Sequence, residues 1–219
     1  MWGRQGALKP TVAGGHGPAT AADLGGGRDA CPWLLRSAGH AATARVFNAG
    51  SCNVAVSGPD GGYGGYRLER SNLVLWLSRG STHRTLSNEV ALVEAVAARH
   101  PGFVVIVVDF GKATYDSQVL LSRLTKLVVG MHGGAMWNAV RWMDLGAAEP
   151  QFVLEVLPRL GPGASCVLAK MFGVGYSTIA CGDCRPERDH IGALPEAELL
   201  AAVGAVLSGT AVTPDCDRI

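Results

Sequence analysis

Phe103-Val-Val-Ile-Val-Val108 is the stretch on which the fold turns. All six residues are apolar and five are β-branched, so neither face of a strand built from them can meet water. That is the pattern of a central strand in a mostly parallel sheet covered by helices on both faces. His100-Pro-Gly102 breaks the chain just before it. Upstream, Val90, Val93, Val96 and Ala97 recur at helical spacing. Ser87 or Asn88 is placed to cap that helix, and Glu89 suits its first turn through the helix dipole. Further upstream, Leu73-Val-Leu-Trp-Leu77 reads as another strand, followed by a polar turn over 78–84. Downstream, Asp116 is expected to cap a helix running to about residue 124, and Leu127-Val-Val-Gly-Met131 reads as the next strand. Phe152-Val-Leu-Glu-Val-Leu157 is a further strand and 176–180 a weaker one, with helices expected at 136–143, 164–172 and 195–207. About five strands alternating with helices define an α/β domain with a Rossmann-like, mostly parallel sheet. Ligands of such sheets bind at the carboxyl ends of the strands, which directs attention to the loops 78–84, 109–114, 132–138 and 158–163.

The rest of the chain differs in character. Of its 30 glycines, 15 precede Tyr66, and segments such as Gly58-Pro-Asp-Gly-Gly-Tyr-Gly-Gly65 carry little apolar surface to offset the entropy of ordering a backbone. The expected organisation is therefore a glycine-rich, irregular leader over 1–66, a folded domain over 67–210 and a short tail over 211–219. Net charge is only +1 and no basic run alternates with aromatics, so nucleic acid is not an expected partner. The longest apolar runs, 103–108 and 199–207, fall well short of the ~20 residues that cross a bilayer, and Met1-Trp-Gly-Arg4 does not lead into the apolar core of a secretory signal.

The sharpest chemical signal is Val128-Val-Gly-Met-His-Gly-Gly-Ala-Met-Trp-Asn138, a strand running through small residues into a helix. Gly133 and Gly134 let the main chain approach a ligand, and the helix start directs N–H groups and a positive dipole end at an anion, for which a diphosphate is a good fit. His132 ends the strand, where its imidazole can donate to a phosphate or leaving-group oxygen. The same heptapeptide also suits a tight βα turn with a satisfied histidine.

These segments resemble the family 61 glycosyltransferases, whose catalytic region carries a strand ending in Gly-Val-His-Gly-Ala-Gly with an asparagine nearby. Leu75-Trp-Leu-Ser-Arg79, with Arg84 and Asn88-Glu89 after it, is similar to the family's strand, arginine pair and Asn-Glu helix start. Tyr115-Asp-Ser-Gln118 resembles the glutamine-bearing helix, and Val153-Leu-Glu-Val-Leu-Pro158 the strand with an acidic residue. The resemblance covers roughly 73–208. It departs from the family at Gly134-Ala-Met-Trp137, where Ala-Gly-Leu-Thr is usual, so that Trp137 either narrows a donor pocket or packs beneath it.

The resemblance implies the C-terminal, donor-holding domain of a GT-B enzyme. Such an enzyme transfers a monosaccharide from a nucleotide sugar, expected to be UDP-linked, to a hydroxyl of a glycan or glycoprotein, with inversion and without a metal or other cofactor. An inverting step needs a general base, and His132 is the histidine placed for it, the alternative being a base from the acceptor domain of a two-domain transferase. Arg79 and Arg84 suit the diphosphate, and Asn88, Gly133, Gly134 and Asn138 are further donor-binding candidates, Asn138 being equally suited to a structural role. Glu155, inside an apolar strand, needs a partner: a ribose hydroxyl, or an internal arginine or helix amide. The N-terminal acceptor domain of a GT-B enzyme is not evident in the leader, so weak activity of the chain, or a nucleotide-binding module without turnover, is the alternative expectation. A eukaryotic member is expected in the Golgi or ER lumen as a type II membrane protein.

Six cysteines, Cys31, Cys52, Cys166, Cys181, Cys184 and Cys216, are too sparse for a disulfide scaffold. Cys181-Gly-Asp-Cys184 has the spacing of half a zinc site, with no second pair at a suitable distance. Asp215-Cys-Asp217 spells the Asp-x-Asp of metal-dependent transferases, but it follows the last expected helix, and chance is the better explanation. No metal ligand set is therefore expected.

Overall fold

A computed structural model describes residues 44–47, 55–57, 67–70, 72–79, 85–143, 150–158, 164–181, 184, 191–210 and 216. The main sheet has six strands in the order β1-β6-β4-β7-β8-β9, namely β1 (Ala44–Phe47), β6 (Val104–Asp109), β4 (Leu73–Ser78), β7 (Thr125–Met131), β8 (Phe152–Leu157) and β9 (Gly175–Ala180). The last five are mutually parallel, while β1 runs antiparallel along the outer edge of β6. Two small ladders accompany it: β2 (Ala55–Ser57) against β3 (Arg67–Arg70), and β5 (Thr85–Leu86) against β10 (Ile191–Gly192). Both β1 and β2 fall in the stretch read as irregular leader, the rest of which lies outside the described residues, as does most of the tail.

The helices are α1 (Glu89–Arg99), α2 (Tyr115–Leu124), α3 (Gly134–Trp142), α4 (Ala164–Met171) and α5 (Glu196–Leu207). Each parallel strand splits its side chains by the period of two. Leu73, Leu75, Leu77, Val104, Ile106, Val108 and Val153 enter one core under α2, α3 and α4, and Val74, Trp76, Val105, Val107, Leu127, Val129 and Leu154 enter the other under α1 and α5. The expected two-sided cover is therefore present, and the sheet is doubly wound. The run 103–108 gives an interior strand, but the middle of the sheet belongs to β4 and β7, because β1 supplies only one strand beyond β6.

Local capping differs from expectation at two helices. Thr114, not Asp116, caps α2: its side-chain oxygen accepts from the Ser117 N–H at 3.3 Å, leaving Asp116 in the first turn, where the dipole favours it. Asn88 occupies the N-cap of α1 but makes no side-chain cap hydrogen bond. Its amide is used elsewhere: Nδ2 donates to the Leu194 carbonyl at 2.8 Å, and Oδ1 accepts from the Leu194 N–H at 3.2 Å. Ser87 joins it, both its N–H and its hydroxyl donating to the Gly192 carbonyl.

Candidate functional site

Numbered among themselves, the five parallel strands run 2-1-3-4-5. The connections leave β4 and β7 in opposite directions, α1 on one face and α3 on the other, which opens a crevice at their carboxyl ends. Ser78 and Arg79 close β4 and Met131, His132 and Gly133 close β7, so chemistry-bearing residues 53 positions apart meet there. Arg79 Nη2 donates to the His132 carbonyl at 3.1 Å. Gly133 has φ +146, a backbone state that L side chains rarely adopt, and a Cβ there would sit 1.7 Å from Arg79 Nη2. Glycine at 133 therefore lets the guanidinium lie against the main chain. Gly134 is different, since a Cβ on it would meet only open space.

Gly133 is also the N-cap of α3 and brings no side-chain acceptor to it, so the first-turn N–H groups and the positive dipole end stand at the crevice. Gly134, Trp137, Asn138 and Arg141 form the exposed stripe of α3. Trp137 is 42% exposed, so it does not pack beneath the site. Gly130, three residues before Gly133, is packed: a Cβ there would lie 3.0 Å from Leu77 Cβ and 3.3 Å from Met136 Cε.

His132 has a side chain 29% exposed, and Glu155 is fully buried. Glu155 Oε1 takes His132 Nδ1 at 2.7 Å and the Ser165 hydroxyl at 2.6 Å, while Oε2 accepts from the Tyr176 hydroxyl at 2.5 Å. The partner of this strand carboxylate is therefore a histidine with two hydroxyls, rather than an arginine, a helix amide or a ribose. Ser165 and Tyr176 escaped the sequence reading. The available signal was positional, because Tyr176 occupies the same face of β9 as Thr178, the register partner of Glu155.

The remaining candidates are placed as follows. Asn88 faces Leu194 as described, so both ends of its amide are committed to the fold. Glu89 Oε1 accepts from Trp76 Nε1 at 2.9 Å and Oε2 from the Ser78 hydroxyl at 2.8 Å, which ties α1 to the end of β4. Gln118 fixes the loop after β6 by donating to the Phe110 and Ala113 carbonyls. Arg84 lies outside the described residues. Cys181 and Cys184 are bonded to each other and buried, which removes them as metal ligands. Gly192 packs on them, since a Cβ there would stand 2.2 Å from Cys184 Sγ. Cys216 is bonded to Cys166, while Asp215 and Asp217 lie outside the described residues. Among the described residues no group of three or more His, Cys, Asp or Glu could hold a metal, and no helix is long and apolar enough to cross a membrane.

The fold is a doubly wound α/β domain whose switch point gathers an arginine, a glycine-capped helix start and a histidine. The Glycosyltransferase 61 family model matches residues 36–148, just over half of the chain, and the chain belongs to that family. Membership makes it a glycosyltransferase in class, with a sugar donor and an acceptor as its substrates. The match reaches back into the stretch read as leader and takes in Arg79, Arg84, Asn88, His132, Gly133, Gly134 and Asn138, whereas Glu155 and its strand lie beyond it. No curated protein matches the chain.

Proposed function

We propose that the chain transfers a monosaccharide from a UDP-linked sugar to a hydroxyl of a glycan or glycoprotein, with inversion and without a metal, and that the crevice between β4 and β7 holds the donor diphosphate. The observation that carries this reading is the Arg79 guanidinium laid against Gly133 and bonded to the His132 carbonyl, beside the start of α3. A planar cation and a helix dipole converge on one point there, and both act on the charge that grows as the glycosidic bond breaks. On this reading that counter-charge comes from arginines, Arg84 with Arg79, and from backbone amides, in place of a divalent cation. His132 serves as the acid–base group. Gly134, with open space where a side chain would be, leaves room for the phosphates, and Asn138 and Trp137 border it on the exposed face of α3. The disulfides Cys166–Cys216 and Cys181–Cys184 support an oxidising compartment such as the ER or Golgi lumen.

The test is thermal unfolding with UDP. At a hundredfold excess over Kd, UDP should stabilise the fold by about 2.7 kcal/mol, raising Tm by roughly 5–10 °C. EDTA should leave the shift unchanged, and Arg79→Ala should remove most of it. No shift at millimolar UDP, or a shift that requires Mn²⁺, overturns the reading.

A further inference from the structure

We infer that Glu155, Ser165 and Tyr176 are positioning residues that set His132 as the general base of transfer, an inference that rests on the glycosyltransferase reading above. Glu155 has no exposed surface, and its two carboxylate oxygens take three donors from three elements: the end of β7, the start of α4 and β9. Taking a carboxylate out of water is costly unless hydrogen bonds replace its hydration, and two hydroxyls with an imidazole N–H supply three of them. An ionised carboxylate only accepts, so His132 carries its hydrogen on Nδ1 and its lone pair on Nε2.

The balanced step follows. Nε2 takes the proton of the acceptor hydroxyl while that oxygen's lone pair forms the bond to the anomeric carbon. The bond from the anomeric carbon to the phosphate oxygen breaks, its electron pair leaving with the nucleoside diphosphate beside Arg79. The imidazolium formed is held by the negative charge of Glu155, as an acid–base histidine is held by a buried carboxylate in other hydrolytic and transfer sites. Glu155 itself touches no substrate.

The experiment compares wild type, Glu155→Gln and Tyr176→Phe in the intact chain. Three readouts are taken: ring ¹⁵N shifts of His132, equilibrium binding of UDP, and acceptor-dependent nucleotide release from a panel of UDP-sugars. Wild type should show the Nδ1–H tautomer. In Glu155→Gln the side-chain amide can donate to Nδ1 and move the hydrogen to Nε2, with turnover falling by about 10³–10⁴ as for the corresponding change in a triad. UDP binding should remain. Tyr176→Phe, which keeps the ring and removes one donor to Oε2, should lower turnover by about tenfold, with Tm reporting that the fold persists. An unchanged tautomer in Glu155→Gln, or loss of UDP binding together with turnover in a folded variant, overturns the inference. If wild type neither binds UDP nor turns over, the functional reading fails, while the tautomer comparison still decides whether Glu155 sets the histidine.

Discussion

Two polar clusters sit at strand ends in this domain, and they use their hydrogen-bonding capacity in opposite ways. At the junction of β5, α1 and β10, Ser87 and Asn88 are bonded to backbone groups of Gly192 and Leu194, so the asparagine amide is consumed in joining distant parts of the chain. At the switch point, Arg79 Nη2 donates to the His132 carbonyl and the guanidinium lies against Gly133, while His132 Nδ1 meets the Glu155 carboxylate. Asn88 in the first cluster and Arg79 in the second were both donor-binding candidates on sequence grounds. What separates them is the kind of partner: the asparagine amide is bonded at both ends to one backbone residue, whereas the histidine ring is bonded to a buried carboxylate.

The largest expected effect tests how the second cluster is held. Ser165 precedes Cys166, whose disulfide to Cys216 closes a separation of 50 residues. Chain-entropy arguments value such a link at about 4 kcal/mol, so replacing both cysteines with serine should lower Tm by roughly 8–16 °C. A loss of under about 1 kcal/mol in denaturant titration would show that α4 is held in place without it.

A matched pair comes next. Gly133→Ala places a methyl where the Arg79 guanidinium lies and imposes φ +146 on alanine, at a cost of about 1–3 kcal/mol and with loss of the UDP-induced shift in Tm. Asn88→Ala strands the Leu194 N–H and carbonyl and should cost a similar ~1–3 kcal/mol while leaving UDP affinity as it was. Equal losses of UDP affinity in the two variants would erase the distinction between the clusters.

The smallest effect contrasts two histidines. His132 has a carboxylate on its ring, whereas His100 Nε2 is buried with no hydrogen-bond partner among the described residues. Burial first, and then the neighbouring Arg99 charge, holds the His100 pKa below its ordinary 6.5. The unfolded chain therefore takes up the proton first, so the stability due to this group is present above pH 6.5 and declines as pH falls below it towards the folded value. Tm measured against pH should fall less steeply for His100→Gln than for wild type below pH 6.5, and parallel curves would remove His100 from the account.

The parallel strands were legible because their residues leave no alternative. Val104–Asp109 and Phe152–Leu157 are nearly free of polar positions, and each observed strand begins within two residues of its expected start. The edge strand β1 was not, because four residues in a glycine-rich setting are held by backbone pairing to β6, which no local pattern announces. The glycine turn from β7 into α3 was legible as a local motif, while the network around Glu155 was not. Ser165 is 10 residues away and Tyr176 is 21, and they converge only through the β8–β9 register and the seating of α4. For the same reason the cysteine spacing gave no pairing: Cys166 and Cys216 meet through tertiary structure alone.

The pairing of Asn88 with Leu194 spans 106 residues of sequence, and that separation becomes an interval of time during synthesis. At translation rates of about 5–20 residues per second, Asn88 leaves the ribosome roughly 5–20 s before its partner does. Throughout that interval Leu92, Val93 and Val96 on α1 lack Leu199, Val203 and Val206 of α5, the residues that share their core in the finished domain. Until α5 is made, α1 has only the strands made before α5, Val74, Trp76, Val105 and Val107 among their residues, to cover its apolar face.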